Sequence, residues 1–391
     1  MEAALSLSEH QTGTHERVLA GAPTFRGVQA LRGVAACMVV LFHASGNWSM
    51  VAKGEPSGAW QGGSGGVDIF FAISGFVMAV SSIGNGEGPK AAWRFLERRL
   101  VRVMPLYWVI TTVLLLKIQL GFVRNDGLRH VSLGFGVCSY LLIPYWHGKG
   151  DASPLLTPGW TLMYEMFFYV CFAAALWMRK SVPVTLTVVL GLLSVAGMFR
   201  PELFRTDQWP AIAVLMSPLL LEFLAGLWLG RLTQMGYTLE PRVAGALGVA
   251  GLLVVWLLPA PATPGMMRLE WGICGLFVVQ AAVVLEARLG RRIPRWALLV
   301  GDASYSIYLT HAPLLGLWAF LLKKAHVLVA GRVRFEDEAI TLLVCLGLSV
   351  AVGIATYKLV ESPMNRWFRH LLRLRRPVQT EAAAEAATSL A

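Results

Sequence analysis

Apolar runs of about twenty residues recur along most of this chain, divided by short polar stretches rich in arginine, glycine and proline. That run length is what a helix needs to cross the roughly 30 Å of hydrocarbon in a bilayer. The pattern predicts an all-α, polytopic membrane protein with spans near residues 28–46, 67–83, 103–122, 160–178, 182–199, 211–230, 243–259, 270–287, 298–322 and 339–359. A further apolar stretch, Val131 to Tyr145, is short, contains glycine and meets Pro144. Whether it crosses fixes the side of every later loop.

Charge arbitrates. With Val131 to Tyr145 re-entrant or peripheral, cytoplasmic segments hold 20 Lys and Arg, outer segments 11, and the spans 3. With that stretch crossing, the division becomes 15 inside and 16 outside. Lys and Arg concentrate on the cytoplasmic side of membrane proteins, so ten spans with both termini cytoplasmic are expected. The weak point is the basic outer stretch Lys323 to Arg334, partly offset by Glu336, Asp337 and Glu338. Residues 26–370 read as one transmembrane domain, with residues 1–25 and the basic, then Ala/Glu-rich 371–391 as disordered cytoplasmic tails. About 25 mixed polar residues precede the first span and no small-residue cleavage site follows it, so that span is expected to remain as an anchor.

Composition agrees with a bilayer as solvent: 56% of residues are hydrophobic and the mean hydropathy is +0.59. The net charge of +11 follows from the cytoplasmic Lys/Arg excess rather than from a nucleic-acid surface, and no basic-aromatic nucleic-acid module is present. Cys37, Cys138, Cys171, Cys274 and Cys345 all fall in apolar segments without metal-ligand or disulfide spacing, so free thiols and no metal are expected.

Against this background the intramembrane polar residues are the candidates for chemistry. Arg32 and His43 share the first span, eleven residues apart, which is roughly 16 Å along a helix. Asp68 opens the second span from the outer side, Glu165 lies early in Gly159-Trp-Thr-Leu-Met-Tyr-Glu165, and His311 ends Ser304-Tyr-Ser-Ile-Tyr-Leu-Thr-His311. In the ten-span arrangement His43, Asp68, Glu165 and His311 fall at similar depth. Two carboxylates and two imidazoles at one level form a candidate proton-transfer centre, because imidazole titrates near neutrality and a carboxylate fixes its orientation. Structural alternatives stand beside each: interhelical hydrogen bonding for His43 and His311, a favourable helix N-terminus for Asp68, close helix packing for Ser74-Gly75. At the inner surface Arg98, Arg99 and Arg102 serve either as ordinary positive-inside anchors or, with Arg32, as a phosphate-binding group. Cations at the mouth and a histidine deeper in suit a ligand with an anionic head and a long neutral arm, the shape of coenzyme A.

Five blocks in order, Leu31-Arg-Gly-Val-Ala-Ala with His43, Gly66-Val-Asp-Ile-Phe-Phe-Ala-Ile-Ser-Gly-Phe, Arg98-Arg-Leu-Val-Arg-Val-Met-Pro-Leu-Tyr-Trp, Pro158-Gly-Trp-Thr-Leu-Met-Tyr-Glu and Tyr305-Ser-Ile-Tyr-Leu-Thr-His, resemble the membrane acyltransferase-3 family, in particular its exopolysaccharide O-acetyltransferase-like branch. The resemblance runs from about Arg26 to Arg369. Thr161 departs from it, standing where serine is more usual. It implies about ten transmembrane helices in the bacterial inner membrane and an acyl-CoA donor, acetyl-CoA foremost, used as substrate rather than as a resident cofactor. It further implies a carbohydrate or lipid-linked saccharide acceptor, with polysaccharide assembly machinery as a possible partner. Arg32 and His43 match the family's arginine and essential histidine, and Glu165 and the Arg98 to Arg102 cluster match its other recurrent polar positions.

The expected reaction has donor phosphates on Arg32, Arg98, Arg99 and Arg102, with Ser74 along the donor path and the thioester brought beside His43. His43, oriented by Asp68 or Glu165, acts as general base or acyl carrier, with Trp160, Tyr308 and His311 toward the acceptor. Two rivals remain at this level: a transporter of a sugar or lipid-linked intermediate using a His/Glu proton relay, and a noncatalytic scaffold in a polysaccharide assembly complex. A transporter of this kind is expected to show broken helices in two related halves, and none is evident in the sequence.

Overall fold

The computed structural model describes residues 25–52, 61–82, 86–120, 131–147, 152–199, 211–257, 264–324 and 335–372. The two expected tails, and most of the stretch Lys323 to Arg334, lie outside these residues. Among the described residues the structure is helical, with no strand. Helices α1 (Arg26–Ala52), α2 (Gly66–Ser81), α3 (Pro89–Gln119), α4 (Leu133–Leu141), α5 (Gly159–Trp177), α6 (Val182–Phe199) and α7 (Leu219–Gln234) form the first part. Helices α8 (Pro241–Leu257), α9 (Pro264–Val284), α10 (Arg295–Asp302), α11 (Ser304–Lys324), α12 (Phe335–Thr356) and α13 (Ser362–Leu371) follow.

Five stretches are long and apolar enough to cross a membrane: Arg26–Ser49, Gln61–Ser81, Pro89–Gln119, Gly159–Trp177 and Glu338–Leu371. Helix α9 and the turn after it, bent by 54°, make a sixth if taken together, while α6 and α8 are apolar but shorter. The chain is a multi-pass membrane protein. Helix α4 has nine residues, about 13 Å of rise, which cannot cross roughly 30 Å of hydrocarbon. It lies instead along α3, where the Trp108 indole donates to the Tyr140 carbonyl at 2.9 Å and the Tyr107 hydroxyl to the Ser139 carbonyl at 2.7 Å.

Small residues set the helix spacing. The most extensive contact joins α2 and α7. A Cβ on Gly75 would strike the Phe223 carbonyl, and one on Gly226 the Ala72 carbonyl, so these backbones approach as closely as small-residue packing in membranes allows. The same device seats α1 on α10, where Gly33 meets Val300 and Gly301, and Gly301 in turn meets the Gln29 carbonyl.

The N-terminal end of α1 is fixed by a distant carboxylate. Glu286 accepts from the amides of Arg26 at 3.0 Å and Gly27 at 2.7 Å, which satisfies orphan donors of the first turn and opposes the helix dipole. Gln29 donates to Asp302 at 2.5 Å. Together these hold Arg32, one turn further on, toward the bundle interior. At the other end of the chain, Pro363 lacks an N–H and cannot continue the α-helical ladder from α12. The segment Tyr357–Glu361 takes a π-helical turn there, a feature common at functional positions, and buries the Glu361 carboxylate.

Candidate functional site

Helices α1, α2, α3, α5 and α11 enclose a cavity of about 90 Å³. Its polar walls are Arg32 from α1, Ser74 from α2, Arg99 and Arg102 from α3, Glu165 and Tyr169 from α5, and Tyr305 and Tyr308 from α11. A second cavity of about 440 Å³, walled by Arg26, Gln29, Ser81 and Asp302, shares Arg32, Val77 and Arg102 with the first. The two guanidiniums therefore sit at the junction of both spaces.

The three cavity arginines are held differently. Arg99 donates to the Ser81 hydroxyl at 2.6 Å and lies over the rings of Phe95 and Tyr169, 5.7 and 5.9 Å from their centroids. Arg32 and Arg102 make no hydrogen bond to any described residue. Their charges are balanced at longer range by Glu165 and Glu361, and Asp302 also acts on Arg32. Guanidinium carries five donors in a fixed fork that fits phosphate or carboxylate, so the junction presents two open forks. Glu361 accepts from the Ser306 hydroxyl at 2.6 Å, and the Tyr305 hydroxyl donates to the Val103 carbonyl at 2.8 Å.

Glu165 belongs wholly to this inner group: its carboxylate accepts from the Tyr169 hydroxyl and, at 3.3 Å, from Ser74. The expectation that Glu165 orients His43 is corrected here. Asp68 is fully buried in the first turn of α2, beside Gly275 and Cys274 of α9, and it makes no bond to His43 either. Sequence position does not specify the rotation of these carboxylates about the helix axis. Arg98 is likewise not a wall of either cavity and has Arg94 and Glu97 as its charged neighbours. Arg99 and Arg102, three apart, face inward instead. Trp160 packs edge-on to Tyr164, with ring centroids 6.1 Å apart, and does not wall the cavity.

The two histidines do meet. His311, fully buried, places Nε2 3.3 Å from Nδ1 of His43, and the ring centroids are 5.0 Å apart. His43 Nδ1 also lies 3.0 Å from the Val39 carbonyl, and His311 Nδ1 lies 2.5 Å from the Tyr308 carbonyl. His43 is an exposed residue and is not a wall of either cavity described above. Tyr308, a wall of the first cavity, shares its hydroxyl with Thr161 at 2.9 Å and donates to the Pro158 carbonyl at 3.1 Å.

Sequence reasoning missed Tyr169, Tyr305 and Glu361. Tyr169 stands four residues after Glu165, the same-face spacing of a helix, and that signal was available. Glu361 is turned inward by the π-helical turn, which no apolar periodicity announces.

The profile of the family described as "Acyltransferase domain", acyltransferase-3, matches residues 25–358. Exopolysaccharide production protein ExoZ of Rhizobium meliloti is 30% identical over 313 residues, covering 78% of this chain and 90% of the relative. BcsY of Komagataeibacter xylinus, whose name describes a membrane-bound transacylase, is 27% identical over 86% of this chain and 82% of its own. Peptidoglycan O-acetyltransferase OatA of Listeria monocytogenes is 24% identical over 74% of this chain and 49% of its own. No solved structure is significantly similar. The chain belongs to the acyltransferase-3 family of membrane proteins.

Proposed function

We propose that the protein is an integral membrane O-acyltransferase that moves an acyl group, acetyl foremost, from cytoplasmic acyl-CoA to a hydroxyl of a carbohydrate or lipid-linked saccharide. The observation that carries the donor side is the pair of guanidiniums of Arg32 and Arg102, open toward a cavity and without a hydrogen-bonding partner among the described residues. Phosphate oxygens are what such forks bind best. The names of ExoZ and OatA support a polysaccharide as the acceptor. The ten-span arrangement with both termini inside and an inner-membrane location fits the 20-to-11 division of basic residues and a helix α4 too short to cross. In that arrangement the arginines lie toward the cytoplasm and the histidine pair toward the outside.

In the reaction, donor phosphates rest on Arg32, Arg99 and Arg102, and the acylated arm extends past Ser74 toward Tyr308. Displacement of the Tyr308 side chain brings the thioester to His43. The acceptor oxygen attacks the thioester carbonyl carbon while His43 takes the hydroxyl proton. The carbon–sulfur bond breaks, the thiolate receives that proton, and the products are the O-acyl saccharide and free CoA. Attack by His43 itself, giving an acyl-histidine that the hydroxyl then cleaves, uses the same groups.

Purified protein in nanodiscs, incubated with labelled acetyl-CoA and a panel of saccharide and undecaprenyl-linked acceptors, tests donor, reaction and acceptor class together by mass spectrometry. The expected result is one acyl mass added to an acceptor for each free CoA released. Intact acetyl-CoA with every acceptor, alongside ligand-driven flux across a sealed vesicle, would replace this reading with the transporter.

A further inference from the structure

The hydrogen-bond geometry of the histidine pair assigns a proton to each ring. A backbone carbonyl only accepts. His311 Nδ1, 2.5 Å from the Tyr308 carbonyl, must therefore carry its proton, which leaves His311 Nε2 as a bare acceptor in the neutral ring. His43 Nδ1 faces two acceptors, the Val39 carbonyl at 3.0 Å and this bare His311 Nε2 at 3.3 Å, so it too carries a proton. What remains is His43 Nε2: in the neutral ring unprotonated, and without a partner among the described residues.

We infer that His311 is a positioning residue that, with the Val39 carbonyl, holds His43 as the Nδ1–H tautomer and leaves His43 Nε2 as the reacting nitrogen. This rests on the acyltransferase reading above and deepens it. It replaces the carboxylates expected to orient His43 with a neutral imidazole, itself oriented by its own backbone one turn back. When Nε2 takes the acceptor proton, the Nδ1–H of the resulting imidazolium is already aimed at two acceptors, and no group has to move to meet the new charge. Among the described residues, His311 is the titratable side chain in contact with His43. The full burial of His311 keeps water from competing for its Nε2. The Tyr308 carbonyl ties the arrangement to the first cavity, since the residue whose main chain fixes the His311 ring also walls that cavity.

Two measurements test this. In full-length protein in nanodiscs with ¹⁵N-labelled histidine, difference spectra against His43→Gln and His311→Gln identify the two rings. The expected pattern is a protonated Nδ1 and a bare Nε2 in both, and a protonated Nε2 on His43 would overturn the assignment whatever the activity. In kinetics, His311→Leu removes a charge-assisted acceptor, so kcat falls about 10- to 100-fold with the acyl-CoA KM held, whereas His311→Gln, whose Oε1 reaches the place of Nε2, restores most of the rate. Equal losses in the two variants, or a loss carried by KM, would assign His311 to packing alone. Should the leucine variant fail to fold, the glutamine variant decides: near wild-type turnover supports positioning, and a loss as deep as that of His43→Gln overturns it. Absence of acyl transfer by the wild-type protein sinks the proposed reaction, and the spectrum then stands or falls separately.

Discussion

The open guanidinium at Arg102 allows donor binding to be separated from folding. Arg102→Met keeps the apolar stem and removes the charged fork. In the empty protein this side chain gives no hydrogen bond to any described residue, so the variant loses no such contact and sheds the cost of a half-buried charge. Thermal stability should hold or rise slightly. On the donor the variant loses one charge-assisted contact, worth about 1.5 to 3 kcal/mol, which is roughly a 10- to 150-fold rise in the acyl-CoA KM at tenfold per 1.4 kcal/mol. Because the phosphates lie far from the reacting carbonyl, ground state and transition state lose the same binding and kcat changes little. Arg99→Met provides the contrast. It forfeits the 2.6 Å bond to Ser81 and the stacking on Phe95 and Tyr169, so it should lower stability by about 1 to 3 kcal/mol as well as raise KM. Initial rates over a range of acetyl-CoA concentrations, paired with thermal unfolding in the same detergent, separate the two. An Arg102→Met protein with an unaltered donor KM would return these arginines to membrane anchoring and remove the main support for the donor site.

Three further outcomes are expected. His43→Ala should reduce turnover by about 10² to 10⁴, the usual worth of a general base, with membrane insertion intact; near wild-type transfer by the purified variant would refute its role. Gly226→Leu should prevent α2 and α7 from meeting, since even a Cβ there strikes the Ala72 carbonyl, and overpacking of this kind costs at least about 1 to 3 kcal/mol. Monodisperse protein of wild-type thermal stability on size exclusion would contradict that packing. Glu361→Gln still accepts from Ser306 but removes a negative charge that acts on Arg32 and Arg102, so donor phosphates should bind more tightly and the acyl-CoA KM should fall. A raised KM would show Glu361 positioning the arginines rather than competing with the donor for them.

Helix location was readable in the sequence; azimuth was not. Apolar run length identified α1, α2, α3, α5 and the long C-terminal helix, because a 20-residue apolar helix has few other places to go. The polar residues Arg32, Ser74, Arg99, Arg102, Glu165 and Tyr308 were all singled out, and the structure gathers them around one cavity. Their grouping was misjudged. His43, Asp68 and Glu165 share a level in the expected ten-span topology, yet Asp68 lies beside α9, Glu165 bonds to Ser74 of α2 and His43 meets His311 of α11. A span that is apolar on every side carries no moment to orient it, so nothing in α2 or α5 announced which way each carboxylate turned. Arg98 and Arg102 share a face by their spacing, but it is Arg99 that turns inward with Arg102. Glu361 depended on a π-helical turn that Pro363 helps to impose, and such a turn shifts every later residue by more than half the width of a helix face.

The division of the site follows from what each half has to tolerate. The arginine-lined half holds several charges and adjoins a wider cavity of about 440 Å³, so in the proposed reaction it is the half that takes the hydrated, polyanionic head. In the proposed reaction the other half is the imidazole pair, one ring fully buried and one residue exposed, suited to meeting a hydroxyl that arrives from the opposite side. A permanent channel between them would admit water to a thioester held beside a general base, and water is itself an acyl acceptor. In the proposed reaction Tyr308 is the barrier on that route, at little cost, because its hydroxyl is satisfied by Thr161 and Pro158 and its carbonyl by His311. In the proposed reaction, opening the barrier therefore breaks two ordinary hydrogen bonds of the side chain and leaves the main-chain bond to His311 in place, so the donor can advance without the base losing its orientation.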